Sequence, residues 1–167
     1  MKRKRKINGD YMYGLILNEA GYRTYPFEVL KYLEPYVKSL KWKINAHEHN
    51  GDFLYDDFPF DQPNNHLMDG DTFYKTLASY SDVQWVWGVL SGFPNEISWE
   101  EIERDAVEYD NTEDPVILNN SLSHIESKAV FEIVVMDSST TIVLADDESV
   151  MNELLEHFPR GEKLCIT

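Results

Sequence analysis

The sequence predicts an α+β fold: a single domain with a mostly antiparallel sheet of about five or six strands and three or four helices packed on it. Three observations lead there. Strand-like and helix-like segments mix along the chain without the regular strand–helix–strand alternation of a doubly wound parallel sheet. Two stretches, Lys41–Tyr55 and Ala129–Ala145, read as hairpins. The 167 residues, 43% hydrophobic and 13% aromatic, supply enough apolar material for one core. The domain is expected over 10–167, behind a short basic tail at 1–9.

Tyr11–Leu17 is apolar and aromatic and reads as a first strand. Pro26 opens a helical pattern in which Phe27, Leu30, Leu33, Val37 and Leu40 fall on one face. Pro35 interrupts it. Either the helix kinks there, or a second short helix begins with Pro35 at its first position. Lys41–Asn45 alternates as a strand does, and Asn50-Gly51 then signals a turn leading to a returning strand at Phe53–Tyr55. Asp56–Asn65, with two prolines, is expected to be a loop.

Asp69 or Asp71 can cap a helix over Thr72–Tyr80 with Phe73 and Leu77 inward. Val83–Leu90 is almost continuously apolar and reads as a central strand covered on both faces, stopped by Gly92, Pro94 and Asn95. Ser98 and Glu101 have the spacing of a capping box for a helix running to about Ala106. Ala129–Asp137, the turn Ser138-Ser139 and Thr140–Ala145 form the clearest hairpin. Asp146-Asp147-Glu148 begins a helix whose acids suit its positive end. Val150, Leu154 and Leu155 form its apolar face, and Pro159-Arg160-Gly161 stops it. Leu164–Ile166 adds a last strand.

Charge is the strongest compositional feature. Thirty acidic residues face fifteen basic ones, a net charge of −15. Five of the basic residues are Lys2, Arg3, Lys4, Arg5 and Lys6, so the remaining chain holds ten basic groups against thirty acids. Such a body repels phosphate backbones and anionic lipid, and attracts a basic protein. Nucleic acid and membrane are therefore not expected partners. Solubility alone is the competing explanation of the charge.

The lone cysteine, Cys165, forbids an intrachain disulfide and fits a reducing, cytoplasmic setting. The basic tail lacks the apolar run of a secretory signal behind it and reads as a solvated segment. No stretch approaches the length of a membrane span.

Several stretches together resemble a known family. They are Lys31-Tyr32-Leu33-Glu34-Pro35 followed by Lys41-Trp42-Lys43-Ile44, then Asp69-Gly70-Asp71 before a helix, and the apolar strand ending in Gly92-Phe93-Pro94. The last is Phe131–Asp137, Ser138-Ser139, a second strand and an acidic helix start. In their order these resemble an uncharacterised family of small bacterial proteins, domain of unknown function 2691. The resemblance spans most of 11–158 and implies a fold and a bacterial cytoplasmic setting, with no activity attached. The acidic stretch Asp105–Pro115 and the basic N-terminus depart from that family's pattern.

Four constellations are candidates for function. His47 and His49 alternate on one strand face and could share a metal, with Asp52, Asp56, Asp57 or His66 completing the site; the plainer reading is two polar histidines beside a turn. Asp56, Asp57 and Asp61 could divide acid and base work if burial separated them, or they are solvated loop acids. Glu100, Glu101, Glu103, Asp105, Glu108 and Asp110 cluster near one base, Arg104, and could dock a basic partner or simply form a solvated helix face. Trp85, Trp87, Phe93 and Trp99 could line a pocket, although alternating tryptophans in a buried strand read as core.

The phosphate-cradling loop, the dinucleotide-binding glycine pattern, the nucleophile elbow and paired-cysteine motifs are absent from the sequence. The expectation is therefore a non-enzymatic, acidic, partner-binding protein without a cofactor, for example an immunity-type protein covering a basic site. A metal-dependent hydrolase or metal-binding domain using His47 and His49 is the alternative.

Overall fold

The computed structural model describes residues 12–18, 24–62, 66–107 and 123–164. Within them, seven strands form one sheet: β1 (Tyr13–Leu17), β2 (Lys41–His49), β3 (Leu67–Asp69), β4 (Trp85–Phe93), β5 (Phe131–Met136), β6 (Thr140–Ala145) and β7 (Glu162–Leu164). Their spatial order is β3-β2-β4-β5-β6-β1-β7, and every neighbouring pair is antiparallel. The α+β class and the antiparallel sheet are as the sequence predicts. The strand count is higher than expected because the edge strand β3, three residues long, is too short to leave a periodic signal; β7, at the other edge, begins two residues before the expected last strand at Leu164–Ile166.

Six α-helical segments are present among the described residues: α1 (Pro26–Leu30), α2 (Glu34–Lys38), α3 (Gly51–Leu54), α4 (Gly70–Ser79), α5 (Trp99–Arg104) and α6 (Glu148–His157). This too exceeds the expected three or four. α1 and α2 are two parts of one bent run joined by a 3₁₀ turn at Lys31–Leu33, with Pro35 in the first turn of α2. Pro35 cannot donate a hydrogen bond, and the first turn is where none is needed.

Strand alternation gives the sheet two different faces. One face contributes Leu15, Leu17, Trp42, Ile44, Trp85, Leu90, Phe131, Ile133, Val135, Val143 and Ala145 to the main core. α1, α2, α4 and α6 cover it with Val29, Leu30, Val37, Phe73, Leu77, Val150 and Leu154. Trp42 stacks on Phe73 at 4.3 Å and meets Phe131 edge-on at 6.0 Å, at the centre of this layer. The opposite face carries Val89, Val134 and Leu144, covered by Ile125 and Met12. Near the far end, Phe93 packs with Ile102 of α5 and Ala129.

Of the two acids expected to cap α4 it is Asp69 that does so, and the acidic start Asp146-Asp147-Glu148 supplies the cap of α6. The Asp69 side chain accepts from Thr72 N at 2.9 Å at the start of α4, and Asp147 accepts from Ser149 N at 2.8 Å at the start of α6. The β5–β6 turn centres on Asp137 and Ser138, whose φ values are +51° and +54°. Two successive positive φ values match the strand twist of a tight hairpin, and Asp tolerates them.

The expected hairpin Lys41–Tyr55 is not formed. β2 runs on to His49 and pairs with β4 on one side and β3 on the other. Phe53–Tyr55 is not a strand, because α3 starts at Gly51. The basic tail 1–9 and Cys165 lie outside the described residues.

Candidate functional site

α5 presents the acidic cluster. A turn at Pro94–Ile97 brings Ser98 to the cap position, where its hydroxyl accepts from Glu101 N at 3.1 Å and Glu101 accepts from Ser98 N at 3.1 Å. This reciprocal pair satisfies two otherwise orphaned backbone donors. Ile102 points into the core, so Glu100 and Glu103 point outward and are exposed.

The other acids of the cluster are engaged by the chain itself. Asp105 accepts from Arg104 Nε at 3.0 Å and lies 2.7 Å from Lys128 Nζ. Those two cations, Arg104 first, hold its carboxyl well below the usual carboxylate range. The amide of Ser98 and the charge of Lys128 lower Glu101 in the same direction. Glu103 lies 3.6 Å from His66 Nε2. Of the six expected docking acids, Glu100 and Glu103 are exposed, Glu103 beside the equally exposed His66, and Glu101 and Asp105 have partners within the chain. Glu108 and Asp110 lie outside the described residues.

Of the histidine pair, the structure describes the side chain of His49. His49 is engaged at both ring nitrogens: Nδ1 accepts from Gly51 N at 2.9 Å, and Nε2 lies 2.7 Å from Asp61 Oδ1. Its ring packs against Phe58 at 4.5 Å and is nearly buried. Two register irregularities between Ala46 and His49 break the alternation on which a shared face depends. The side chain of His47 lies outside the described set. Among the described residues, no group of three or more His, Cys, Asp or Glu side chains could hold a metal ion. Asp56 and Asp57 are exposed in the loop after α3.

The aromatic cluster is split by the sheet. Trp85 is in the main core, Phe93 and Trp99 belong to the cluster around Ile102 on the other face, and Trp87 is half-buried. They form no common platform.

A polar row escaped the sequence reading. The registers Lys43↔Ser91 and Ser91↔Glu132 align these residues across β2, β4 and β5 on the face opposite the main core. The segment 123–130 lies over them. Glu132 is fully buried and accepts from Ile125 N at 2.7 Å, Glu126 N at 3.2 Å and Ser91 Oγ at 2.8 Å. Burial pushes its pKa up, against the opposing pull of the His124 charge and these donors. Glu126, also buried, forms an ion pair with Lys43 and accepts from Val107 N at 3.2 Å.

His124 Nε2 lies 3.0 Å from Asp146, and its buried Nδ1 has no hydrogen-bond partner among the described residues. Chemically, the row is a clasp: Glu132 of the sheet accepts two main-chain N–H groups of the covering segment, and Glu126 of that segment reaches back to Lys43 on the sheet. It left no signal in the sequence because its sheet members, Lys43, Ser91 and Glu132, are 41 or more residues apart and meet only through register.

No helix among the described residues is long and apolar enough to cross a membrane. Comparison of the chain with family models, with curated proteins and with solved structures gives no match to any of them.

Proposed function

We propose that this chain is a non-enzymatic partner-binding protein of a bacterial cytoplasm whose acidic surface docks a basic protein, as an immunity-type protein covers a cationic site. The observation that carries the reading is the net charge of −15, with Glu100 and Glu103 turned outward on a helix whose cap and inward face are already satisfied. Complementary charge of this kind speeds encounter and selects among partners more than it adds raw affinity. The same charge works against nucleic acid and anionic membrane as partners.

The test is a pull-down from lysate of the native organism at low and at high salt, followed by binding measurements with the captured partner and the variant Glu100→Gln/Glu103→Gln. The expected result is a basic partner released at high salt, bound several-fold more slowly by the variant. A partner whose binding ignores both salt and the two substitutions would overturn the proposal.

A further inference from the structure

The reading above leaves open where the partner is anchored. Charge steers an encounter, but buried aromatic side chains usually carry most of an interface's energy. Among the described residues, Phe53 and Leu54 are the large hydrophobic side chains left exposed, at 88% and 44%. Both are on α3.

The core around α3 is complete without them. Phe58 is 1% exposed and fills the space between His49 and Tyr80, with ring centroids at 4.5 and 5.6 Å, and Phe60 meets it edge-on at 5.5 Å. Phe53 is therefore not a core residue waiting for a better fit.

α3 is also braced. Asn50 exchanges backbone and side-chain hydrogen bonds with Gln84, which donates to Asn50 Oδ1 at 2.8 Å and accepts from Asn50 N at 3.1 Å. Gly51 N donates to His49 Nδ1, Tyr55 N donates to Gly51 O at 2.8 Å, and Tyr55 Oη donates to Asp82 at 2.7 Å. A side chain displayed on a braced turn loses less freedom on binding than one on a loose loop.

The surroundings select the partner. Two acids are tied into the brace itself, Asp61 on His49 and Asp82 on Tyr55. Asp52, Asp56 and Asp57, beside Phe53 and Leu54 in the chain, are exposed. A second copy seated on this corner in a symmetric contact would set these acids against themselves. An apolar pocket with a basic rim would meet both the aromatic tip and the carboxylates around it.

We infer that the α3 corner is the anchor of the interface, with Phe53 and Leu54 inserting into an apolar pocket of the partner whose rim carries lysine or arginine. This rests on the partner-binding reading above, and the experiment separates the two. A bead-displayed library of random peptides is selected against the full chain, and enriched peptides are measured by fluorescence anisotropy. The proteins compared are wild type, Phe53→Ala, Leu54→Ser and Glu100→Gln/Glu103→Gln. Backbone amide NMR of the labelled chain locates the contact.

The expected result is enrichment of peptides combining Lys or Arg with apolar residues, amide shifts centred on residues 51–55, and a loss of about tenfold or more in affinity in Phe53→Ala. Unchanged urea midpoints would show that these exposed-site variants remain folded. Basic peptides that lose affinity in the α5 variant and bind Phe53→Ala normally would overturn the anchor and leave the acidic docking reading standing. Absence of enrichment, or enrichment without basic residues, would overturn both. A concentration-dependent dimer abolished by Phe53→Ala would make a second copy the occupant and overturn the anchor.

Discussion

Lys43→Met tests whether the clasp holds the segment 123–130 to the sheet. Lys43 is 13% exposed and pairs with Glu126, which is 2% exposed. Methionine keeps the length of the stem and removes the charge. Glu126 is then left buried with the amide of Val107, at 3.2 and 3.4 Å from its two oxygens, still donating to it. Removing one partner of a buried pair costs about 3–5 kcal/mol, because the remaining charge has already been taken out of water. A domain is typically stable by only about 5–15 kcal/mol. At this chain length the melting temperature should fall by about 6–20 °C.

Lys75→Met is the matched control. Lys75 lies 2.6 Å from Asp71, but the two side chains are 69% and 54% exposed. Water screens that pair, so its loss should cost less than about 0.5 kcal/mol. The assay is urea unfolding followed by tryptophan fluorescence, since Trp42 and Trp85 are both buried reporters. The Lys75→Met difference should vanish in high salt and the Lys43→Met difference should persist. A Lys43→Met variant no less stable than Lys75→Met would refute the reasoning, because burial would then not be deciding the strength of the pair.

Two further outcomes follow from the packing and the charges. Glycine to alanine in a helix ordinarily stabilises by about 0.5–1 kcal/mol, but Gly70→Ala should destabilise by about 1–3 kcal/mol. A Cβ at Gly70 would lie 2.4–2.5 Å from the carbonyl oxygens of Val37, Lys38 and Leu40, and these are backbone atoms that cannot swing away; a gain in urea midpoint would contradict this. Glu132 has a folded pKa raised above its ordinary 4.5, so between that value and the folded one the native state binds more protons than the unfolded chain. Stability from this group is fully present below 4.5 and is lost as pH rises through the folded value, a fall that Glu132→Gln should lack; parallel stability–pH curves for the two proteins would contradict it.

Local signals are the most legible part of the sequence, although the β5–β6 turn centres one residue earlier than the expected Ser138-Ser139. Asp69, Ser98 with Glu101, and Asp147 each cap a helix within three residues of the amide they satisfy. The β5–β6 hairpin closes over a few residues and is likewise visible in the sequence. Asn50-Gly51 misled because its turn signal is real but incomplete. The sequence cannot show that Asn50 pairs with Gln84, 34 residues away, and that this extends the β2–β4 ladder instead of folding the chain back on itself. The bulge between Ala46 and His49 is equally invisible. It interrupts, in the backbone between Ala46 and His49, the simple alternation on which the expectation of a metal pair rests.

The acidic composition needed the structure most. A sequence presents thirty acids as one population. The fold divides them by what they accept. Glu132 and Glu126 are inside, Glu132 bound to two main-chain amides of the covering segment and Glu126 to Lys43 and the amide of Val107. Asp69, Glu101 and Asp147 terminate helices. Asp105 is matched by Arg104 and Lys128. Carboxylates already committed to such donors offer little to a partner, since docking would first have to break an existing hydrogen bond. The acids with exposed, outward positions, Glu100 and Glu103 on α5 and Asp52, Asp56 and Asp57 around α3, are the ones whose charge a basic protein can meet without that loss. Of these two groups, the one around α3 also flanks an exposed aromatic side chain, so a partner recognised by charge would find its apolar contact there and not on α5.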